Sequence, residues 1–485
     1  MSKEVREQQP QLLWNHFADL NAVPRPSKKE ERVRAFMVDF GKSLDLEVIE
    51  DAIGNVIIRK PATSGMEDRE SIIMQSHLDM VHQKNNDTDF DFLTQGIDMF
   101  VKGDIIKARG TTLGADNGIG VAAIMAVLSS TDIAHPAIEA LFTVDEETGM
   151  TGAKELDTTI LTSKILLNLD TEEDDEIDIG CAGGVDVTAT KTYKLEPVFD
   201  HYISKKITVK GLNGGHSGMD IIKGLGNANK LITRLLDAMQ KRGAVHFQSL
   251  KGGSLRNAIP REAEAVISLP ESDWEHMWNT FNRCKDAILD EYAALEENLT
   301  ISIEAVENTE VLTESDSREL VYCLLGIHNG VYRMSPDIDG LVETSNNLAR
   351  VTLEKGELQI ACLTRSSVKS SKTDLSSSIV AVMKLAQMDT KLSGDYPGWQ
   401  PNASSAMLDI TKAKYTELFD HEPRVVACHA GLECGLLGER YPGLDMISFG
   451  PNIRRAHSPD EYVEITSVQK FWKLLLEVLK EIPKA

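Results

Sequence analysis

The sequence predicts an α/β protein in which a mixed sheet sandwiched by helices is interrupted by an inserted α+β domain. In residues 1–186, short apolar strand patterns alternate with helical patterns, as in sheets covered by helices. Three of these strands lead into acids or a histidine, and such sheets bind ligands at the carboxyl ends of their strands. From residue 187 the strands alternate polar and apolar residues, and the first style returns at residue 399.

The elements of the first segment follow from their patterns. Gln11–Leu46 is predicted to be helical with a break at Val23–Pro26, and alternation around Gly54-Asn55 predicts a hairpin over Leu46–Arg59. Apolar runs predict the remaining elements, which are a strand over Ser71–Met74, a helix over Gly118–Leu128, and strands over Ala137–Val144 and Ile165–Leu169.

The inserted domain and the return segment are predicted in the same way. The inserted strands are Thr188–Tyr193, Ile203–Lys210, Ala263–Leu269, Ile301–Val306 and Leu358–Leu363. The inserted helices are Ile221–Met239, a long one ending at Leu295, and Ser376–Met388. The return segment is predicted as a helix over Asp409–Glu422, a strand over Val425–Cys428, a short helix over Cys434–Leu437 and a strand over Asp445–Phe449.

The composition limits the class of protein. A chain of 485 residues is too long for one core to be the default, which favours two domains. The formal net charge of −24 disfavours partners such as nucleic acid and anionic membranes. Six cysteines without C-x-x-C spacing, no secretion signal and no run of about 20 apolar residues favour a soluble protein of the reducing cytoplasm.

Two candidate metal ligands lie in the first segment's turns, and each also has an ordinary explanation. His77 opens the pattern His77-Leu78-Asp79, in which Asp79 can accept the ring N–H of the histidine and fix its tautomer for a metal. Taken alone, this pattern is also a common surface turn. Asp116 precedes an apolar helix, where aspartate is a frequent N-cap.

Three further candidates are equally ambiguous when taken singly. Glu147 belongs to three consecutive acids that follow an apolar strand and repel one another unless a cation compensates, although a solvated turn is the alternative. Asp170 ends another apolar strand but precedes an acidic stretch that a loop would also explain. His457 by itself is typical of a surface residue. As a set, the five suit a borderline metal such as zinc.

The charges of this set balance for two metal ions. Two divalent ions carry four positive charges, three carboxylates remove three, and a bridging hydroxide removes the last. A neutral centre of this kind favours deprotonation of the shared water near pH 7. Glu146 is beside a ligand but is not needed as one, which makes it the candidate general base.

The motifs resemble those of the co-catalytic dizinc aminoacylase and carboxypeptidase family of metallopeptidases over essentially the whole chain. In order, they are SHLDMV, GADNGIGVA, DEETGMTGA, LDTEE, GGHSG and RAHSPDEYV. The resemblance implies a discontinuous catalytic domain of residues 1–186 and 399–485, with residues 187–398 as a lid and dimerisation domain. It also implies hydrolysis of dipeptides by a zinc-bound hydroxide, with broad specificity that includes Xaa-His and carnosine-like substrates. The expected protein is a cytoplasmic homodimer with two Zn²⁺ per subunit, which Co²⁺ or Mn²⁺ can replace.

The resemblance also implies roles for individual residues. His77 and Asp170 would hold one zinc, Glu147 and His457 the other, and Asp116 would bridge them. Asp79 would orient His77, and Glu146 would pass a proton from water to the leaving amine. His216 would stabilise the tetrahedral oxyanion, within its subunit or across the dimer. Asn257, Arg365 and Glu433 would contact the substrate, the first two at its terminal carboxylate, to which an arginine fork is suited.

Other functions stay open from the sequence alone. A tripeptidase or an N-acyl amino acid deacylase of the same family would carry the same motifs. A non-catalytic binding protein on this scaffold would be expected to lose the base or a ligand, and both are present here. A structural oligomer would be expected to show an extended apolar stripe or a heptad seam, and the sequence shows neither.

Overall fold

The structure is a computed structural model that describes residues 3–336, 338–402, 404–429 and 431–485. The chain forms two compact units. The first contains Met1–Gly180, Trp399–Ala427 and Leu432–Ala485, and the second contains Cys181–Gly398 and Cys428–Gly431. The first boundary lies a few residues before the predicted one, and the short segment 428–431 groups with the second unit rather than with the first. The role of the second unit as a lid and dimerisation domain stays a prediction.

A mixed eight-stranded sheet forms the centre of the first unit. Its strands in spatial order are Glu47–Glu50, Val56–Lys60, Ile138–Thr143, Ile72–His77, Ile165–Asn168, Asp445–Ser448, Glu176–Cys181 and Arg424–Cys428. The four strands from Ile138–Thr143 to Asp445–Ser448 run parallel to one another. Three of these four are buried at every residue, as expected for parallel strands covered by helices on both faces. The predicted mixed α/β sheet is therefore confirmed.

The helices of the first unit include the one that begins beside the predicted site. They are Lys3–Arg6, Gln11–Asn21, Glu31–Ser43, Ala115–Ser129, Glu146–Gly149, Thr151–Glu155, Ala406–Phe419, Glu433–Arg440 and Ile465–Lys480. Ala115–Ser129 packs on the strand Ile72–His77 and on the helix Gln11–Asn21, and it is apolar on nearly all sides. Among the described helices, none combines the length and apolar character that a bilayer span requires.

A small antiparallel sheet holds the end of the chain against the segment that precedes Ala115. Its strands in order are Ile453–Arg454, Tyr462–Glu464, Ile105–Ala108 and Met99–Lys102. These strands are too short to be predicted from hydropathy alternation. The turn between the first two carries His457, so the sheet fixes the position of that turn.

The second unit is an antiparallel sheet with helices packed against it, which is the predicted α+β arrangement. The strands in order are Thr300–Val306, Tyr202–Lys210, Ala263–Pro270, His246–Gly252, Val342–Glu354, Glu357–Ser366, Gly183–Thr192 and Asp389–Tyr396, with Gly330–Met334 also paired to Val342–Glu354. The strands Glu196–Pro197 and Glu310–Val311 form a separate pair. The helices are Ala228–Gln240, Trp274–Tyr292, Glu314–Gly326 and Lys369–Leu385.

The predicted helix over Ile221–Met239 is wrong at its start. A short 3₁₀ turn over Ile221–Lys223 ends at Gly224, whose φ of 67° lies in the left-handed region that favours glycine. The α-helix begins only at Ala228, because the side chain of Asn227 accepts the backbone N–H of Lys230 and caps it.

Candidate metal centre

Neighbouring parallel strands bring three of the predicted ligands to one edge of the central sheet. His77 ends its strand and lies opposite Thr143, which ends the next strand before the acidic turn that contains Glu147. Asp170 follows the strand Ile165–Asn168, which pairs with the strand of His77 on its other side. Parallel strands end on the same side of a sheet, so these side chains converge, as placement in the sequence predicts.

Asp116 joins two groups of three possible ligands. His77, Asp116 and Asp170 form one group and Asp116, Glu147 and His457 form the other, with the ligand atoms of each group within 4.8 Å of one another. Oδ1 of Asp116 lies 3.1 Å from Nε2 of His77, and its Oδ2 lies 3.1 Å from Nε2 of His457. The two oxygens of one carboxylate thus face two different histidines, which is the arrangement that a bridging ligand requires.

A further carboxylate completes each group. Oδ1 of Asp170 lies 3.6 Å from Nε2 of His77, and Oε2 of Glu147 lies 3.0 Å from Nε2 of His457. The structure therefore brings all five ligand candidates together. Imidazole nitrogens and carboxylate oxygens are ligands that zinc and other first-row ions accept.

Asp79 connects the first histidine to the acidic turn. Its carboxylate is fully buried, and Oδ1 lies 3.5 Å from Nδ1 of His77. The same carboxylate accepts the backbone N–H groups of Glu146 and Glu147 at 3.0 and 3.3 Å. The hydrogen-bond partner of Nδ1 of His77 is the backbone carbonyl of Asp79, at 3.1 Å, so its Nε2 is left to face the centre.

The carboxyl groups around the centre carry an excess of negative charge. Burial raises the pKa values of Glu146 and Asp170 well above normal; the charge of His77 opposes this rise, and neighbouring carboxylates add to it. Burial raises the pKa of Glu433 to about 7 and that of Glu172 to about 8. Oε1 of Glu147 is buried and has no hydrogen-bond partner among the described residues. A divalent cation would supply both the missing partner and the missing positive charge.

The two histidines show where a cation would bind. Hydrogen bonds to Asp116 and Glu147 raise the pKa of His457 to about 11. Burial lowers the pKa of His77, but the charge of Asp170 and the hydrogen bond to Asp116 raise it well above its usual value. The protons that these contacts favour lie on Nε2, and a metal ion would displace them because histidine binds metals as neutral imidazole. The residues present therefore fit a pair of metal ions.

Residues 73–481 match the model of peptidase family M20/M25/M40. The chain belongs to this peptidase family. The metallopeptidase family predicted from the motifs is confirmed.

Two relatives are similar to the chain over nearly its whole length, and a third shares only its fold. The chain is 44% identical over 481 residues to the cytosol non-specific dipeptidase of Escherichia coli (strain K12), which covers 99% of both chains. The crystal structure of aminoacylhistidine dipeptidase from Vibrio alginolyticus matches all of both chains with 41% identity and a TM-score of 0.95. Aminopeptidase PepT from Bacillus cereus matches 98% of this chain and 99% of its own with 17% identity and a TM-score of 0.57, which shows a shared fold alone.

His216, one of the predicted substrate-side residues of this M20 peptidase, lies in a turn of the second unit. Its Nδ1 accepts the backbone N–H groups of Gly218 and Met219 at 3.2 and 3.1 Å. A neutral imidazole that accepts at Nδ1 carries its proton on Nε2, so the ring presents a donor there. Burial and the charge of Arg365 lower the pKa of His216, which keeps the ring neutral near pH 7.

Asn257 and Arg365 also lie in the second unit. The carbonyl of Asn257 accepts the N–H of Ser217, the residue after His216, at 2.8 Å. Arg365 is 5% exposed, donates from Nη1 to the hydroxyl of Tyr396 at 2.9 Å, and has no partner for Nε among the described residues. The buried guanidinium of Arg365 therefore still has a hydrogen-bond donor, Nε, that a ligand could use.

His429 was not predicted but belongs with these residues. Burial, followed by the charges of Arg365 and His216, lowers its pKa to about 3. Its Nε2 lies 2.8 Å from the hydroxyl of Ser345. An isolated histidine in a glycine-containing loop carries no sequence signal of such an environment.

Glu433 lies beneath the centre, and its predicted contact with the substrate stays a prediction. Its side chain is completely buried, and its Oε2 accepts hydrogen bonds from Nε2 of Gln75 and the hydroxyl of Thr143, both at 2.6 Å. Gln75 and Thr143 belong to the two strands that lead to His77 and to the acidic turn. Oε2 therefore supports the sheet beneath the centre, while Oε1 has no hydrogen-bond partner among the described residues.

Arg25 is a second site residue that sequence reasoning missed. It is 1% exposed, and its guanidinium donates to the carbonyls of Leu78, Asp79 and Gly114 and to Oδ1 of Asn21. The guanidinium thus connects the segment after His77 to the segment before Asp116. Its position between two prolines signals a break in the helix but does not signal burial.

Proposed function

We propose that this M20 peptidase is a cytoplasmic metal-dependent dipeptidase with broad specificity that includes Xaa-His dipeptides. The names of the Escherichia coli and Vibrio alginolyticus relatives, each at more than 40% identity over nearly the whole chain, support this activity. The histidine preference is supported by the second of these names. The resemblance of the motifs suggests a homodimer.

The single observation that carries the proposal is the position of Asp116 between His77 and His457. One ion would be held by His77, Asp116 and Asp170, and a second by Asp116, Glu147 and His457. Zn²⁺ suits these nitrogen and oxygen ligands, and Co²⁺ or Mn²⁺ can take the same places. When bound, the ions would polarise the peptide carbonyl and lower the pKa of a water molecule.

Glu146 is the proposed general base. It belongs to neither ligand group and directly precedes the ligand candidate Glu147, and burial raises its pKa well above normal. Asp79 fixes the backbone of Glu146 by accepting its N–H. A carboxylate held in this place can take a proton from water and give it to the leaving amine.

The second unit would supply the groups that bind the substrate. His216 would donate from Nε2 to the developing oxyanion, within its own subunit or across a dimer. Arg365, whose Nε has no partner among the described residues, would form a bidentate pair with the terminal carboxylate, and Asn257 would assist it. Because the imidazole of His216 is neutral, it would donate its Nε2–H to the oxyanion as a hydrogen bond and not as a charged group.

A substrate panel tests this function. We expect the purified protein to hydrolyse carnosine and Xaa-His dipeptides, to lose this activity on dialysis against a chelator, and to regain it when Zn²⁺ is restored. Tripeptides and N-acetyl amino acids serve as matched controls for the related activities. Release of acetate in preference to dipeptide cleavage would contradict the proposal, and so would dipeptide cleavage that survives complete removal of metal.

A further inference from the structure

Glu461 makes an unusual set of contacts beside the candidate metal centre. It is 2% exposed, and its carboxylate accepts four consecutive backbone N–H groups. Oε2 accepts from Leu113 and Gly114 at 2.7 and 2.9 Å, and Oε1 accepts from Ala115 and Asp116 at 2.7 and 3.3 Å. One side chain therefore holds the whole backbone segment that presents Asp116.

The segment needs such a partner because of its place in the fold. The backbone at Asp116 and Asn117 is not helical, so the N–H groups from Leu113 to Asp116 precede the regular part of the helix and need hydrogen-bond partners from elsewhere in the chain. Gly114 has a φ of 71°, a left-handed conformation that turns successive N–H groups toward one point. A carboxylate at that point determines the conformation of the segment.

Glu461 also connects the Asp116 segment to the turn that contains His457. Glu461 follows His457 in the turn between the strands Ile453–Arg454 and Tyr462–Glu464. Its four hydrogen bonds therefore join that turn to the Asp116 segment. Oδ2 of Asp116 and Nε2 of His457, which lie 3.1 Å apart, belong to the two segments that this connection joins.

Arg25 makes the corresponding connection from this segment to the first histidine. It donates to the carbonyl of Gly114 and, at 3.0 Å, to the carbonyls of Leu78 and Asp79, directly after His77. The Asp116 segment is thus held between an arginine and a carboxylate, each of which reaches a different ligand-bearing segment.

We infer that Glu461 is a positioning residue that sets the place of Asp116 relative to His457 and thereby the affinity of the centre for its metal ions. The inference rests on the proposed function, in which Asp116 bridges two ions. Residues that orient metal ligands in this way commonly change metal affinity about 10- to 100-fold when they are replaced.

The test compares Glu461→Gln with Asp460→Asn. Glutamine keeps the shape of the side chain but turns an NH₂ donor toward two of the backbone N–H groups. Asp460 is the adjacent carboxylate, but it is exposed and pairs with Lys107 and Arg455 at 3.5 and 3.8 Å. We expect the Kd for Zn²⁺, measured by competition with a chelating indicator, to rise about tenfold or more in Glu461→Gln and to stay within about twofold of wild type in Asp460→Asn.

A purely structural role for Glu461 would give a different result. In that case Glu461→Gln would lower the Tm of the metal-free protein but bind Zn²⁺ as tightly as wild type, and this outcome would overturn the inference while leaving the proposed function in place. If the glutamine variant does not fold, Glu461→Asp replaces it, because aspartate keeps the charge but withdraws the carboxylate by one methylene. A Zn²⁺ affinity of Glu461→Asp equal to that of wild type would also overturn the inference. Wild-type protein that binds fewer than two Zn²⁺ per chain would overturn the proposed function and the inference together.

Discussion

Each side chain at the candidate centre has a task that follows from the position of Asp116. Its two oxygens face His77 and His457, so the remaining carboxylates divide into those that complete a ligand group and those that support one. Asp170 and Glu147 complete the groups, and Asp79 holds the backbone of the acidic turn. Glu146 is the carboxylate of that turn that is left for proton transfer.

Replacing Glu146 tests this division between ligands and base. Glu146→Gln removes the group that exchanges a proton but leaves both ligand groups intact. We expect kcat for dipeptide hydrolysis to fall about 10²- to 10⁴-fold, while the metal content per chain stays that of wild type. Steady-state kinetics and elemental analysis of the same preparation measure both quantities.

The matched control is Glu155→Gln, which removes an exposed carboxyl from the next helix of the chain. It is expected to leave both kcat and metal content unchanged. A Glu146→Gln variant that turns over at nearly the wild-type rate would show that the base is another residue. Loss of metal from the same variant would instead make Glu146 a ligand.

The ligand candidates and Asp79 could be predicted from the sequence, whereas Arg25 and Glu461, which support the Asp116 segment, could not. His77, Glu147 and Asp170 each follow an apolar strand, and this local pattern indicates the edge of a sheet. Arg25 and Glu461 act through the backbone of segments far away in the chain. Such contacts leave no periodic signal in either segment.

At the scale of elements, the central strands and the helix Ala115–Ser129 determine where the ligands lie. Gly120 of this helix lies directly against the segments that end in His77 and Asp170. A Cβ atom added there would lie 2.5 Å from the hydroxyl of Ser76 and 2.6 Å from the carbonyl of Leu169. These two residues directly precede His77 and Asp170, so the helix, both strands and two ligands are packed together.

Adding one methyl group at this contact is expected to destabilise the first unit. In Gly120→Ala the new Cβ meets a backbone carbonyl that cannot move independently, and overpacking of this kind costs about 1–3 kcal/mol. The free energy of unfolding, measured by urea denaturation, should fall by that amount. Gly438→Ala is the control, since that helical glycine meets only the flexible methyl end of Met446 at 2.8 Å. A Gly120→Ala variant at least as stable as wild type would contradict the close packing.

The elements that were not predicted correctly each have a physical reason. Val342–Glu354 is a long strand, but Glu343 and the four residues after it are polar and buried, and they bond to one another and to neighbouring segments. Hydropathy alternation cannot identify a strand whose buried face is polar. The error over Ile221–Met239 has a different cause. The left-handed conformation of Gly224 ends a short turn, and Asn227 then caps a separate helix, so one helical pattern in the sequence covers two elements.

At the scale of the whole molecule, the chain leaves the first unit and returns to it. The returning strand Asp445–Ser448 extends the parallel part of the sheet beside Ile165–Asn168, and the turn with His457 follows shortly after it. The discontinuity is predictable because the composition of the strands changes twice along the sequence. The assignment of residues 428–431 to the second unit is not predictable, because four residues are too few to carry a pattern.

Anomalous scattering from crystals grown with Zn²⁺ would test the central claim most directly. The account predicts two peaks per chain on either side of the Asp116 carboxylate, one beside His77 and Asp170 and the other beside Glu147 and His457. A third group of acids, Glu30, Asp79 and Asp145, offers a clear alternative location in the same unit. A single peak, or peaks at that group with none at Asp116, would contradict the account.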